Sequence, residues 1–108
     1  MALDKMLGQR RTHYCGTLTR ENEGNIVTVC GWVQRQRDLG GLIFVDLRDR
    51  TGIVQLAFDD TTDKAVFQKA SALHSEYVVM AEGKVRIRSA INTEIPTGEI
   101  EIEVTTLK

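Results

Sequence analysis

The chain has 108 residues and a mass of 12.1 kDa, one domain's worth, which argues against a catalytic domain carrying a second module. Hydrophobic residues make up 42% and charged residues 27%, a globular composition that excludes wholesale disorder. Fourteen Lys and Arg face fifteen Asp and Glu for a net charge of −1, which excludes a globally basic, histone-like binder but leaves room for a local basic face.

The first two dozen residues are polar and lack a clear period. They read as an extension and lead-in, residues 1–24, ending in a capping turn near Asn22–Asn25. The folded domain is expected over 25–108. Asp4 and Lys5 stand where a signal peptide needs its apolar stretch. No apolar run approaches the ~20 residues that span a bilayer, so a soluble, cytoplasmic protein is expected. Cys15 and Cys30 form neither a disulfide framework nor a CxxC and are expected as reduced, partly buried thiols. His13 and His74 are far apart, and these four soft ligands lack the tight spacing of a structural zinc site.

Strands begin at Ile26. The run from Ile26 to Arg37 is rich in β-branched residues, and Val27, Val29 and Val33 share a parity with Gly31. Glycine inside such a run predicts a bulge or sharp bend at that point. Asp38-Leu39-Gly40-Gly41 is a turn, Leu42 to Asp49 a second strand, Arg50-Thr51-Gly52 a turn, and Ile53 to Phe58 a third strand. Connections this short predict an antiparallel meander. Val66, Ala70 and Leu73 fall at i, i+4, i+7 with Phe67 flanking, one apolar helical stripe. The spacing predicts a helix over Asp63 to Leu73, capped by Thr62 or Asp63. Tyr77 to Arg88 is a fourth strand, Ser89 to Gly98 a polar loop with the only proline, and Glu99 to Leu107 a fifth strand. The order β-β-β-α-β-β is that of an OB-fold, a five-stranded Greek-key barrel with one helix. A split sheet covered by a single helix is the alternative.

Alternation sorts the side chains. Ile43, Val45, Leu47, Val54, Leu56 and Phe58 take the core parity, with Val79, Ala81, Gly83, Val85, Ile87, Ile100, Ile102 and Val104. The opposite parity carries Phe44, Asp46 and Arg48 on the second strand and Ile53, Gln55 and Ala57 on the third. It carries Glu82, Lys84, Arg86 and Arg88 on the fourth and Glu99, Glu101 and Glu103 on the fifth. An aromatic on the polar parity has no obvious core role. Beside Gln55, with Arg35, Arg37 and Arg48 nearby, Phe44 has the makings of a base-stacking platform, worth roughly 1–3 kcal/mol per base. The other reading has Phe44 closing the open end of the barrel. Gln55 both donates and accepts, as reading a base edge requires, and arginines neutralise phosphates or fork onto a base. Lys84, Arg86 and Arg88 at period two repel one another. Either a nucleic acid or Glu99, Glu101 and Glu103 on a paired fifth strand offsets that repulsion. Trp32 reads as a packing residue. No G-x-S-x-G, Walker-type loop, HExxH or catalytic Cys/His pair occurs, and Asp59-Asp60 reads as a turn and cap.

The run Cys30-Gly31-Trp32-Val33-Gln34-Arg35-Gln36-Arg37-Asp38-Leu39-Gly40, continuing into Ile43-Phe44-Val45-Asp46-Leu47-Arg48-Asp49-Arg50, closely resembles the N-terminal anticodon-binding domain of bacterial-type aspartyl-tRNA synthetases. Tyr14-Cys15-Gly16, Gly83-Lys84-Val85-Arg86-Ile87-Arg88 and Thr97-Gly98-Glu99-Ile100-Glu101 extend the resemblance over nearly the whole chain. The resemblance implies that Phe44 stacks on the middle anticodon base, a uracil, and that Gln55 hydrogen-bonds it. It implies that Arg35, Arg37 and neighbours hold the first base, and that Arg86, Arg88, Asn92 and Glu101 lie near the remaining base and the backbone. Gln36 departs from the arginine often found there. Members of the family continue into a hinge and a class II catalytic domain that uses ATP and magnesium and carries most dimer contacts. The expectation is therefore an excised domain that needs no cofactor, binds the aspartate transfer RNA weakly and aminoacylates nothing, from a homodimeric parent. Leu39 in the first loop leans toward a strictly aspartate-specific parent. The competing reading is a free-standing single-strand-binding OB protein without base specificity, which would be expected to show several stacking aromatics. A small enzyme, the third reading, lacks any catalytic constellation.

Overall fold

The computed structural model describes residues 11–108. The reading of Asp4 and Lys5 lies outside them. Five strands, β1 (Ile26–Asp38), β2 (Ile43–Asp49), β3 (Gly52–Phe58), β4 (Val78–Ile87) and β5 (Ile100–Leu107), close into a barrel in the order β1-β2-β3-β5-β4. β4 returns to β1, and β3 and β5 are the one parallel pair. The single α-helix among the described residues, α1 (Lys64–Ser71), lies between β3 and β4 in sequence. This is the OB-fold barrel that the element order predicts.

β1 serves two neighbours. Its first half, Ile26 to Trp32, pairs with β4; its second half, Trp32 to Asp38, pairs with β2. A strand shared this way must bend. Gly31 allows the close approach, since a Cβ there would overlap the Arg48 carbonyl oxygen. The bulge predicted at Gly31 sits further on: the β1–β2 register shifts between Val33 and Arg35. One extra residue reverses the parity beyond it. Val33 faces Leu47 inside the barrel, whereas Arg35 faces Asp46 and Arg37 faces Phe44 on the outer surface. Unbroken alternation from Val33 would have turned both arginines into the core.

The core parity expected for β2, β3, β4 and β5 is buried apart from Ile87, which is half-buried, with Ile43, Leu47, Leu56, Phe58, Ile100 and Ile102 fully enclosed; Ala57, expected outward, is buried as well. Each such side chain contributes roughly 1.5–3 kcal/mol on burial. α1 closes one end of the barrel with the predicted stripe: Val66, Ala70 and Leu73 are buried and Phe67 packs against them. The Asp63 carboxylate caps its start, accepting from the Ala65 and Val66 amides, while Thr62 bonds the Asp59 amide instead. The helix is shorter than the stripe. Its last carbonyls, at Ala70 and Ser71, accept from the Gln36 side-chain amide, which caps the helix end. Gln36 thus has a structural task on the helix.

Part of the lead-in belongs to the core. Two 3-10 turns, Cys15–Thr17 and Arg20–Asn22, precede β1. Cys15 and Leu18 are fully buried in the main cluster. The second turn is closed by a reciprocal cap between Thr19 and Asn22 and followed by Gly24 at φ 87°, the capping turn expected near Asn22–Asn25.

Candidate nucleic-acid interface

The bulge in β1 aligns one row of side chains across the outer face. Arg35 lies opposite Asp46, and Asp46 lies opposite Gln55. Arg37 lies opposite Phe44, and Glu101 of β5 lies opposite Arg86 of β4. The β4–β5 loop folds back over this face. The Asn92 amide donates to the Gly98 carbonyl at 2.9 Å, the Gly98 amide to Ile95 at 3.0 Å, and the Thr97 hydroxyl to the Ile53 carbonyl on β3. Between loop and barrel is a groove of about 360 Å³, lined by Arg35, Arg37, Phe44, Asp46, Ile53, Gln55, Arg88, Ser89, Ala90, Asn92, Ile95 and Glu101. Three guanidinium groups and two carboxylates share it, so the groove is locally basic on a nearly neutral chain.

Its floor is a hydrogen-bonded chain. Arg37 Nη2 donates to Gln55 Oε1 at 2.9 Å, and Gln55 Nε2 donates to Glu101 Oε1 at 2.8 Å. The second Glu101 oxygen accepts from Arg86 Nε at 2.7 Å. Arg86 also meets Glu103 at 2.9 Å and Asp59 at 3.4 Å. Burial works against the Arg86 charge, but the bond and charge of Glu101, then Glu103 and Asp59, outweigh it and hold its proton more firmly than usual. Gln55, 5% exposed, and Glu101 are buried although they point away from the barrel core, because these neighbours roof them. The Arg37 guanidinium stands 5.2 Å from the Phe44 ring centre, within cation–π reach. Phe44 is half-buried and lies outside the hydrophobic core.

The family model described as an OB-fold nucleic acid binding domain, of the tRNA anticodon type, matches residues 27–108. The chain belongs to this family. As an anticodon-binding OB domain, it is 52% identical over 107 residues to the aspartate–tRNA(Asp/Asn) ligase of Thermoanaerobacter sp. strain X514, covering 97% of this chain and 18% of the ligase. It is 51% identical over 94 residues to the aspartate–tRNA ligase of Clostridium kluyveri, covering 87% of this chain and 16% of that one. The chain thus spans under a fifth of the length of these curated relatives. Among solved structures, the asparaginyl-tRNA synthetase of Pyrococcus horikoshii superposes with a TM-score of 0.74 at 33% identity, over 89% of this chain and 22% of that one. An OBody bound to hen egg-white lysozyme superposes with a TM-score of 0.82 at 25% identity, over 91% of each chain.

In this domain the groove gathers seven of the nine site residues named from sequence: Arg35, Arg37, Phe44, Gln55, Arg88, Asn92 and Glu101. Arg48 and Arg86 are not among its lining residues. The Arg48 Nε donates to Gln34, and its side chain lines a smaller hollow of about 140 Å³. That hollow shares Ile53 and Ile95 with the groove. Arg86 stands beside the groove floor, partly exposed, on Glu101, Glu103 and Asp59. The repulsion along β4 is therefore offset at Arg86 by the fifth strand and Asp59. Arg88 donates through Nε to the Ile100 carbonyl. The Asn92 side chain accepts from the Glu94 amide, so it also shapes the loop. Trp32 lies outside the hydrophobic core and away from the groove, 38% exposed, opposite Val78 on β4 and Arg48 on β2. Asp46, Ile53, Ser89, Ala90 and Ile95 also line the groove and are not among the residues expected there. Asp46 and Ile53 share the outward parity of Phe44 and Gln55, a signal present in the sequence; the loop residues carry no periodic signal.

Proposed function

We propose that this chain reads the anticodon loop of the aspartate transfer RNA, with Phe44 stacking on the middle base and Gln55 bonding its pairing edge. The carrying observation is the placement of one half-buried aromatic beside one amide in a groove with three guanidinium groups. An aromatic supplies a base-tolerant stacking face, the amide a donor and an acceptor, and the guanidinium groups a match for phosphate or a base edge. The likeness to an aspartate–tRNA(Asp/Asn) ligase and an aspartate–tRNA ligase supports a transfer RNA of this group, the aspartate one being common to both names. Attachment of aspartate, the use of ATP and magnesium, and the dimer contacts belong, on this proposal, to the larger part of a cytoplasmic parent enzyme. This chain contributes binding and orientation of the anticodon.

Two anticodon stem-loops that differ only in uracil or cytosine at the middle position test the proposal. Uracil offers an N–H donor flanked by carbonyl acceptors; cytosine reverses the pattern and leaves a group unpaired, at a cost of about 1–3 kcal/mol. The chain should prefer uracil, and Gln55→Ala should lose most of that preference. Phe44→Ala should weaken both complexes by roughly 1–3 kcal/mol. Affinity should fall as salt rises, because bound phosphates release counterions. Equal affinity of the unaltered chain for both stem-loops rejects anticodon reading in favour of non-specific single-strand binding.

A further inference from the structure

Arg86 points outward on β4, yet each side-chain contact it makes is with a carboxylate of this chain: Glu101 at 2.7 Å, Glu103 at 2.9 Å and Asp59 at 3.4 Å. Glu101, 7% exposed, gives one oxygen to Arg86 and the other to Gln55 Nε2. At its far end the Gln55 amide receives Arg37 on Oε1. A guanidinium only donates and a carboxylate only accepts. An amide held between them therefore has one permitted orientation, with its NH₂ toward Glu101 and its oxygen toward Arg37. Turning it over would set NH₂ against guanidinium and oxygen against carboxylate, two buried mismatches at once. Each end of the amide keeps one bonding position that this chain of bonds does not use.

We propose that Arg86, acting through Glu101, is a positioning residue that fixes the Gln55 amide and so sets which pyrimidine the groove accepts. The inference rests on the anticodon reading proposed above. A glutamine free to turn over serves uracil in one orientation and cytosine in the other. Discrimination at a fixed base position therefore requires the amide to be locked. Arg86 supplies the lock from beside the floor without being part of the groove lining.

The 108-residue chain and its Arg86→Met and Glu101→Gln variants are titrated with the uracil and cytosine stem-loops at two salt concentrations. The Gln55 side-chain amide protons are followed by ¹⁵N-resolved NMR in each free protein. Glu101→Gln preserves volume and removes only one charge. Its oxygen stays with Arg86, so its NH₂ must face Gln55, which conflicts with the pull of Arg37. It keeps the test decisive if Arg86→Met, which leaves three carboxylates together, fails to fold. A preference for uracil of about tenfold or more in the unaltered chain should fall to about twofold or less in the variants. The salt dependence should stay unchanged, and the Gln55 amide signals should shift or broaden. Retained discrimination in a folded variant overturns the proposal. So does equal weakening of both stem-loops with a salt slope smaller by about one unit, the signature of a lost phosphate contact. If the unaltered chain does not discriminate, anticodon reading fails by itself. The NMR then decides the lock alone: undisturbed Gln55 signals in both variants overturn it, and displaced ones uphold it.

Discussion

Three donors converge on the Asp49 carboxylate, which is 6% exposed at the end of β2. The Cys15 amide reaches Oδ2 at 2.7 Å, and the Thr51 amide and hydroxyl reach Oδ1 at 2.8 Å and 2.6 Å. Burial works against the charge, but the bonds from Thr51 and Cys15 outweigh it and hold the carboxyl below its ordinary value. Asp59 is held low in the same way, by Thr61 and Arg86 against its partial burial. A carboxylate whose folded value is depressed stabilises the fold above its unfolded pKa, about 3.9, and loses that contribution as pH falls through the lower folded value. Stability should accordingly hold from neutrality to about pH 5 and decline below about pH 4. Asp49→Asn presents an NH₂ to at least one of the three donors. It should cost about 1–3 kcal/mol at pH 7 and flatten the acid decline, measured by urea unfolding at pH 7 and pH 3.5. An unaltered acid limb would remove Asp49 from the account. The same site silences a thiol: burial first, then the charge of Asp49, pushes the Cys15 thiol far up, so it is inert at neutral pH. At this scale the sequence was informative where a residue broke its own strand's pattern, as Phe44 and Gln55 do. It was mute on Asp49, whose partner Cys15 comes from a segment brought near only by the closed barrel; at Arg86 it pointed to the carboxylates of a paired fifth strand but not to Asp59.

At the scale of elements, the decisive device is the extra residue in β1 between Val33 and Arg35. The valine run announced the strand and Gly31 announced a bend. The bulge itself depends on how β1 registers against Leu47 and Asp46, a non-local match without a local sequence sign. The helix was legible from Val66, Ala70 and Leu73, because a 3.6-residue period survives in a single segment. Its early end was not, because the last carbonyls are capped from another element, by Gln36. The β4–β5 loop has a similar long-range dependence at Gly98. A Cβ at that position would overlap the Asn92 carbonyl oxygen. Gly98→Ala must therefore open the loop where Asn92 and Ile95 line the groove. Because the loop lies outside the hydrophobic core, the cost should be moderate, about 1–2 kcal/mol, or a fall of roughly 4–15 °C in melting temperature. Stem-loop affinity should drop several-fold. Unchanged affinity in a variant whose loop resonances have moved would place the loop outside the interface.

For the whole molecule, the question is where the folding unit begins. The family model starts at residue 27, within β1, and in the polar, aperiodic stretch before it only Cys15 carries a sign of burial in the sequence. A 3-10 turn of three residues is too short to express a period, which is why Leu18, just beyond the first turn, carries no such sign. The structure ties this stretch to the barrel at several points. Leu18 and Cys15 are completely enclosed. The Cys15 amide closes on Asp49, the Gly16 amide on Thr51 at 2.8 Å, and Thr12 bonds both the amide and the carbonyl of Thr28 on β1. A chain starting at Asn25 would open the space filled by Leu18 and Cys15 and leave the Asp49 carboxylate without its Cys15 donor. Removing a buried leucine side chain alone costs about 2–5 kcal/mol, against a total stability of about 5–15 kcal/mol for a domain. A chain of residues 25–108 should therefore be marginal or unfolded at 37 °C, although it contains all five strands and every residue proposed to touch RNA. Leu18→Ala in the full chain should lower the melting temperature by roughly 10 °C or more. It should leave stem-loop affinity unchanged at temperatures where the variant remains folded, because Leu18 lies in the core and not among the groove lining. Thermal unfolding followed by circular dichroism, with stem-loop titration at 10 °C, checks both halves. If residues 25–108 melt as the full chain does, the lead-in is dispensable packing and the folding unit begins at β1.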